Sequence, residues 1–191
     1  MSTLNPTENA VRLQGNGFVL RRWRADDLDD LVANANDPAV ARATSDRFPH
    51  PYTRDDGIAF LEGRVVDFSH PVFAIEIDGA ACGGIGARPG ALERAQSAEI
   101  GYWLAQKHWG RGVMTRAVGL FAPWVMDSLA LYRLFATVLE TNPASARVLA
   151  KCGFDEEGVE RCAVVKHGQV IDVRVFAKTR KTLVTPSILV S

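Results

Sequence analysis

Apolar and polar positions along the chain alternate with two different periods, and the changes of period mark the elements. Phe18-Val-Leu-Arg-Arg-Trp23 reads as a strand. Behind it Leu28, Leu31, Val32 and Ala35 recur at i, i+3, i+4 and i+7, the stripe of an amphipathic helix, with Asp26 as its expected N-cap. Asp37-Pro38 opens a second, short helix, because proline at the first helical position gives up no hydrogen bond. Thr53-Arg-Asp-Asp56 has the form of a capping box, and Ile58, Leu61, Val65 and Phe68 carry the helix behind it. The period then drops to two. Val72 to Ile77 is a strand, Asp78-Gly79 a hairpin turn, and Ala80 to Ala87 the return strand, interrupted by Gly83, Gly84 and Gly86. In Ala98-Glu-Ile-Gly-Tyr-Trp-Leu104 one face carries Ala98, Ile100, Tyr102 and Leu104, and the other Glu99, Gly101 and Trp103. A helix is predicted from about Gly112 to Ser128, with a kink or early end at Pro123. Arg133 to Leu139 is a strand. Asn142 caps a helix that Gly153 stops, and Val159–Val165 and Gln169–Ala177 form a hairpin across His167-Gly168. The order is strand, helix, helix, three strands, helix, strand, helix, two strands. That is an α/β (α+β) chain with meander signals rather than repeated βαβ units.

Composition narrows the function. The 191 residues suit one domain, with a core over about residues 17–178 and terminal segments 1–16 and 179–191. In the second of these, Leu183-Val184 and Ile188-Leu-Val190 are apolar enough to dock or to fray. Basic and acidic residues number 22 each, so bulk charge gives no grip on nucleic acid. Hydrophobic residues make up 47% and charged residues 23%, the mix of a globular chain. No apolar run approaches the ~18 residues of a membrane span, and Met1 to Val11 has no apolar h-region. Cys82, Cys152 and Cys162 are widely spaced and the four histidines scattered, which supports neither a disulfide framework nor a metal site. A cytoplasmic location is the default.

The candidate chemistry starts at Lys107-His-Trp-Gly110-Arg-Gly112-Val-Met-Thr115, between a strand and a helix. Two glycines ahead of a helix N-terminus let backbone N–H groups converge on an anion, where the helix dipole favours phosphate. The other reading is a turn that only joins two elements. A Walker loop is excluded, since no Gly-Lys-Ser/Thr follows. Gly84-x-Gly86 lies between strands and fails as a dinucleotide fingerprint; those glycines mark a bulge or a close backbone approach.

Glu99 through Thr115 resembles the signature segment of the GNAT superfamily of acetyl-CoA-dependent N-acetyltransferases. Glu140-Thr-Asn-Pro-Ala-Ser145 through Lys151-Cys-Gly-Phe154 resembles its second segment. The form Asn-x-x-Ser followed by Lys-x-Gly-Phe is similar to the RimJ/RimL-type branch of ribosomal-protein N-terminal acetyltransferases, as are Phe18–Asp27 and Pro49–Thr53. The resemblance implies a mixed, mostly antiparallel sheet splayed around the cofactor and flanked by helices. It implies acetyl transfer from acetyl-CoA to a primary amine, a protein N-terminus or a small molecule, without metal, nucleic acid or membrane, by a monomer or homodimer. The family pattern Gln/Arg-x-x-Gly-x-Gly/Ala falls on Lys107, Gly110 and Gly112, with lysine in place of the usual glutamine or arginine. The resemblance further implies that the stretch Gly110, Arg111, Gly112, Val113, Met114 and Thr115 holds the pyrophosphate. The strand end at Trp103 and Leu104 then pairs with the pantetheine arm, and Asn142 and Ser145 contact the cofactor.

Amine acetylation needs a neutral amine, a polarised thioester and a protonated leaving thiol. Glu99 is the candidate base, acting directly or through water; the alternative is an ordinary strand carboxylate or ion-pair partner. Many family members place a tyrosine four residues before Gly-Phe, where this chain has Leu149, so the thiol end passes to Ser145. Phe48, Tyr52 and Asp172 fall where the branch faces its acceptor; packing and an ion pair are the alternatives. His108 reads as part of the turn, and Cys152 and Cys162 as core filling. A GNAT-like sensor or interaction module that binds acyl-CoA without catalysis is the alternative from another class, and a plain nucleotide-binding protein a third.

Overall fold

The computed structural model describes residues 11–46, 48–166 and 168–181. The apolar tail positions 183–190 and the turn residue His167 lie outside the described residues. The chain divides into two compact units: Met1–Gly86 with Tyr102–Ala117, and Ala87–Gly101 with Val118–Ser191.

The first unit begins with a strand that the hydrophobic pattern does not announce. β1 (Arg12–Gly15) pairs antiparallel with β2 (Phe18–Arg22), Gly15 opposite Phe18. Asn16-Gly17 makes the turn, with Gly17 at φ +79°. The signal was the Asn-Gly pair; β1 itself is half exposed and shows no apolar run. α1 (Leu28–Ala35), α2 (Pro38–Ala43) and α3 (Arg54–Leu61) follow. Asp37 accepts from the Ala39 and Val40 amides, and Thr53 and Asp56 cap α3 reciprocally. Asp26 does not cap α1. A 3-10 turn at Ala25–Asp27 precedes that helix, and it is Asp27 that is buried. Asp27 takes both guanidinium nitrogens of buried Arg21 at 2.7 Å. Arg21 Nε donates to Glu76 as well. A buried guanidinium needs its carboxylates more than a helix needs its cap. α3 also stops earlier than its apolar stripe suggests, since Gly63 sits at φ +76° and leaves Val65 56% exposed. β3 (Val72–Ile77), the Asp78-Gly79 turn and β4 (Ala80–Pro89) follow as expected. Leu20, Leu31, Ala35, Phe73 and Ile75 form the core here.

β4, β5 (Ser97–Leu104) and α4 (Val113–Ser128) each begin in one unit and end in the other. β6 (Arg133–Leu139), α5 (Pro143–Lys151), β7 (Asp155–Lys166) and β8 (Gln169–Thr179) complete the second unit. α4 does not end at Pro123. Phe121, Ala122, Val125 and Met126 are all fully buried around it, and their packing outweighs the lost donor. Arg180 closes the region beyond α4, donating Nε to Leu131 O at 2.6 Å, Nη1 to Asp127 at 2.5 Å, and Nη2 to Met126 O.

Hydrogen-bonded strand order is β1-β2-β3-β4-β5-β6-β8-β7. β5 and β6 pair in parallel, while β1–β2, β2–β3, β3–β4, β6–β8 and β7–β8 are antiparallel. The sheet is therefore mixed and mostly antiparallel, with helices beside it. β7 is longer than predicted and carries register shifts at Glu156/Gly158 and Glu160/Val164. The second shift pushes Cys162 outward, at φ +53° and exposed, so it fills no core. No helix among the described residues is long and apolar enough to cross a membrane.

Candidate active site

In the first unit β5 runs out through Trp103 and Leu104 into a 3-10 turn at Gln106–His108, then Gly110 and Gly112 at φ +73° and +69°. Both glycines hold a left-handed backbone that other residues rarely adopt, and α4 opens straight after the second. The first helical turn closes at Arg116 N–H on Gly112 O, 3.1 Å, so the amides ahead of it lie at the helix mouth. Lys107 and Arg111 are exposed cations beside this turn. Burial, then those two charges, lowers the His108 pKa, and its Nε2 has no partner among the described residues. That fits a turn residue kept neutral. Trp109 donates its indole N–H to Leu104 O at 2.7 Å, fastening the turn to the strand end.

Trp103 explains two of the three glycines of β4. A Cβ on Gly83 would stand 2.5 Å from Trp103 O, and one on Gly84 would stand 2.7 Å from its indole nitrogen. Phe48 lies 5.2 Å from both the Trp103 and Tyr52 rings. Tyr52 is buried against Leu31 and Ala35, and burial, with the Asp56 charge adding, pushes its pKa up to about 12. The structure thus brings Phe48, Tyr52 and Trp103 together, with Tyr52 as core rather than open surface. A cavity of about 420 Å³ in the same unit is lined by Asn34, Asn36, Asp37, Gln106 and Lys107 among others.

In the second unit Glu99 lies on β5, its Oε1 accepting from Thr137 Oγ1 at 3.1 Å and its Oε2 from Arg88 Nη2 at 2.5 Å. Glu99 is thus an ion-pair partner, the alternative reading of this residue, and nothing in the spacing ties residues 88 and 137 to it. Asn142 caps α5 by accepting from the Ser145 amide at 3.1 Å. Leu149, at the family's tyrosine position, is fully buried. Asp172 accepts from the Cys162 amide at 2.8 Å and pairs with Arg161 at 3.5 Å. It pins the β7 bulge. Among the described residues no group of three or more His, Cys, Asp or Glu side chains is placed to hold a metal ion.

The acetyltransferase (GNAT) domain family matches residues 18–155. The chain belongs to the GNAT acetyltransferase family. Among its relatives is the "Probable N-acetyltransferase YjcK" of Bacillus subtilis (strain 168). The two are 43% identical over 82 residues, 43% of this chain and 45% of that protein. The ribosomal-protein-serine acetyltransferase of Escherichia coli (strain K12) is 31% identical over 83 residues, 44% and 46% of the two chains. The matches span about half the length of these curated relatives. The fold is shared with the RimL ribosomal L7/L12 alpha-N-protein acetyltransferase solved with coenzyme A. There the TM-score is 0.77 at 17% identity, over 88% of this chain and 98% of that one.

Proposed function

We propose that this GNAT chain acts as one acetyltransferase domain in the cytoplasm, moving an acetyl group from acetyl-CoA to a primary amine in a ternary complex. The pair of left-handed glycines at the mouth of α4 carries the reading. A helix mouth preceded by Gly110 and Gly112 and flanked by Lys107 and Arg111 fits a pyrophosphate. The amides from Gly110 to Thr115 bind it, Trp103 and Leu104 line the pantetheine arm, and Asn142 and Ser145 contact the cofactor. Acetyl-CoA supplies the thioester carbonyl and the departing thiolate. Glu99 takes a proton from the acceptor's ammonium, freeing the lone pair for attack. Ser145 Oγ gives its proton to the departing sulfur and regains one from the acetylated nitrogen. Phe48 and Tyr52 shape the acceptor side through packing, and Asp172 supports it by holding the β7 bulge. The acceptor is a protein N-terminus or a small-molecule amine, and the relative named for a ribosomal protein supports a protein acceptor.

Calorimetric titration with acetyl-CoA, followed by thiol release against a panel of amines, tests this. Saturable binding with amine-dependent thiol release is expected. Binding without turnover on any amine would refute catalysis and favour a non-catalytic acyl-CoA-binding module.

A further inference from the structure

The two contacts on Glu99 differ in kind. Thr137 is a short side chain on β6, whose Phe135 is the register partner of Glu99, so the hydroxyl is carried by the sheet itself. Arg88 reaches Glu99 with a long side chain that is 55% exposed, against 28% for the carboxylate. An ion pair this open adds little stability, because water competes for both charges and the arginine gives up rotamer freedom to hold it. One oxygen is therefore fixed and the other is capped by a displaceable cation. No other cation pairs with Glu99 among the described residues.

An acceptor ammonium has the same unit charge as the guanidinium and N–H donors that suit the same oxygen. We propose that Arg88 holds the place that the acceptor's ammonium takes. The acceptor is recognised in its protonated form at Glu99 Oε2, and the guanidinium swings aside into solvent. Thr137 keeps Oε1 and with it the orientation of the carboxylate. The proton then passes from nitrogen to Oε2, which is already in contact with it. Arg88 is in this way a specificity-determining residue, a competitor that favours cationic acceptors strong enough to displace it. The inference rests on Glu99 as the base.

The test is initial-rate kinetics at saturating acetyl-CoA on Arg88→Gln, Arg88→Lys and Glu99→Gln. The acceptor is whichever of alanine amide, serine amide and spermidine the native enzyme turns over fastest. Arg88→Gln should lower the acceptor KM by about two- to fivefold, the range an exposed ion pair allows, with the gain in KM rather than kcat. Arg88→Lys should restore the native KM, since a cation returns to the site. An acceptor KM that is unchanged or higher in Arg88→Gln overturns the inference, provided Glu99→Gln is slow. A Glu99→Gln enzyme as fast as the native one overturns the base itself and the inference with it. Absence of turnover on all three amines refutes both.

Discussion

Replacing Asp27 with asparagine should cost this protein far more than its sequence suggests. Arg21 is 4% exposed and directs two nitrogens at the Asp27 carboxylate at 2.7 Å each. Asparagine keeps the shape but deletes the charge and turns an N–H toward the guanidinium. Breaking one partner of a buried ion pair costs about 3–5 kcal/mol, because the other charge stays buried. Glu76 still holds Arg21 Nε, so the lower end, about 3 kcal/mol, applies here. For a chain of this length each kcal/mol moves Tm by about 2–4 °C, so a fall of about 6–12 °C is expected. Thermal unfolding followed by circular dichroism measures it, with Asp26→Asn as control. Asp26 is exposed, and its replacement should stay within about 0.5 kcal/mol. Equal Tm values for the two variants would refute the argument. The same cluster sets a pH dependence. Hydrogen bonding from Arg21 holds the Glu76 carboxyl below its usual range. A carboxylate depressed in the folded state contributes stability above its unfolded value, about 4.3, and loses it as pH falls through the folded value. The native Tm should therefore drop with acidification from about pH 4.3 downward.

Two further outcomes bear on the proposed site. Gly112→Val puts a branched residue at φ +69°, and the turn must change shape to accept it; acetyl-CoA affinity by calorimetry should fall at least about tenfold in protein that still melts cooperatively. Unchanged affinity would remove the turn from the cofactor site. Ser145→Ala keeps the backbone N–H bond to Asn142, and kcat should fall by about 10²-fold in protein that still melts cooperatively; a normal kcat would return the residue to an ordinary first-turn role.

Local signals in the sequence are legible where the physics is local. The capping residues Asp37, Thr53 and Asn142 and the Asp78-Gly79 turn all sit where their side chains or backbone demand. The errors share a cause, which is tertiary context. Pro123 stays inside α4 because its neighbours are buried, and the position ahead of α1 falls to Asp27, whose carboxylate is held by Arg21. Cys162 is lifted out by a bulge that strand periodicity cannot show. Of the candidate site, the turn at 107–115 and Glu99 were legible because motif residues lie within one segment. Arg88 and Thr137 were not, because only the pairing of strands far apart in sequence brings them to that carboxylate.

The order of strands in the second unit also dictates a timetable during synthesis. β8 lies between β6 and β7, so β7 is made before β8, the strand it pairs with among the described residues. Until β8 joins it, β7 is an unpaired strand of 12 residues. Its composition suits the wait: Glu156, Glu157 and Glu160 repel a like neighbour, and the bulge spoils the flat edge that a second nascent chain would need. Arg174 and Arg133 then claim Glu156 and Glu157 once β8 closes the ladder. The charges that guard the strand before it is paired become its fastenings in the finished protein.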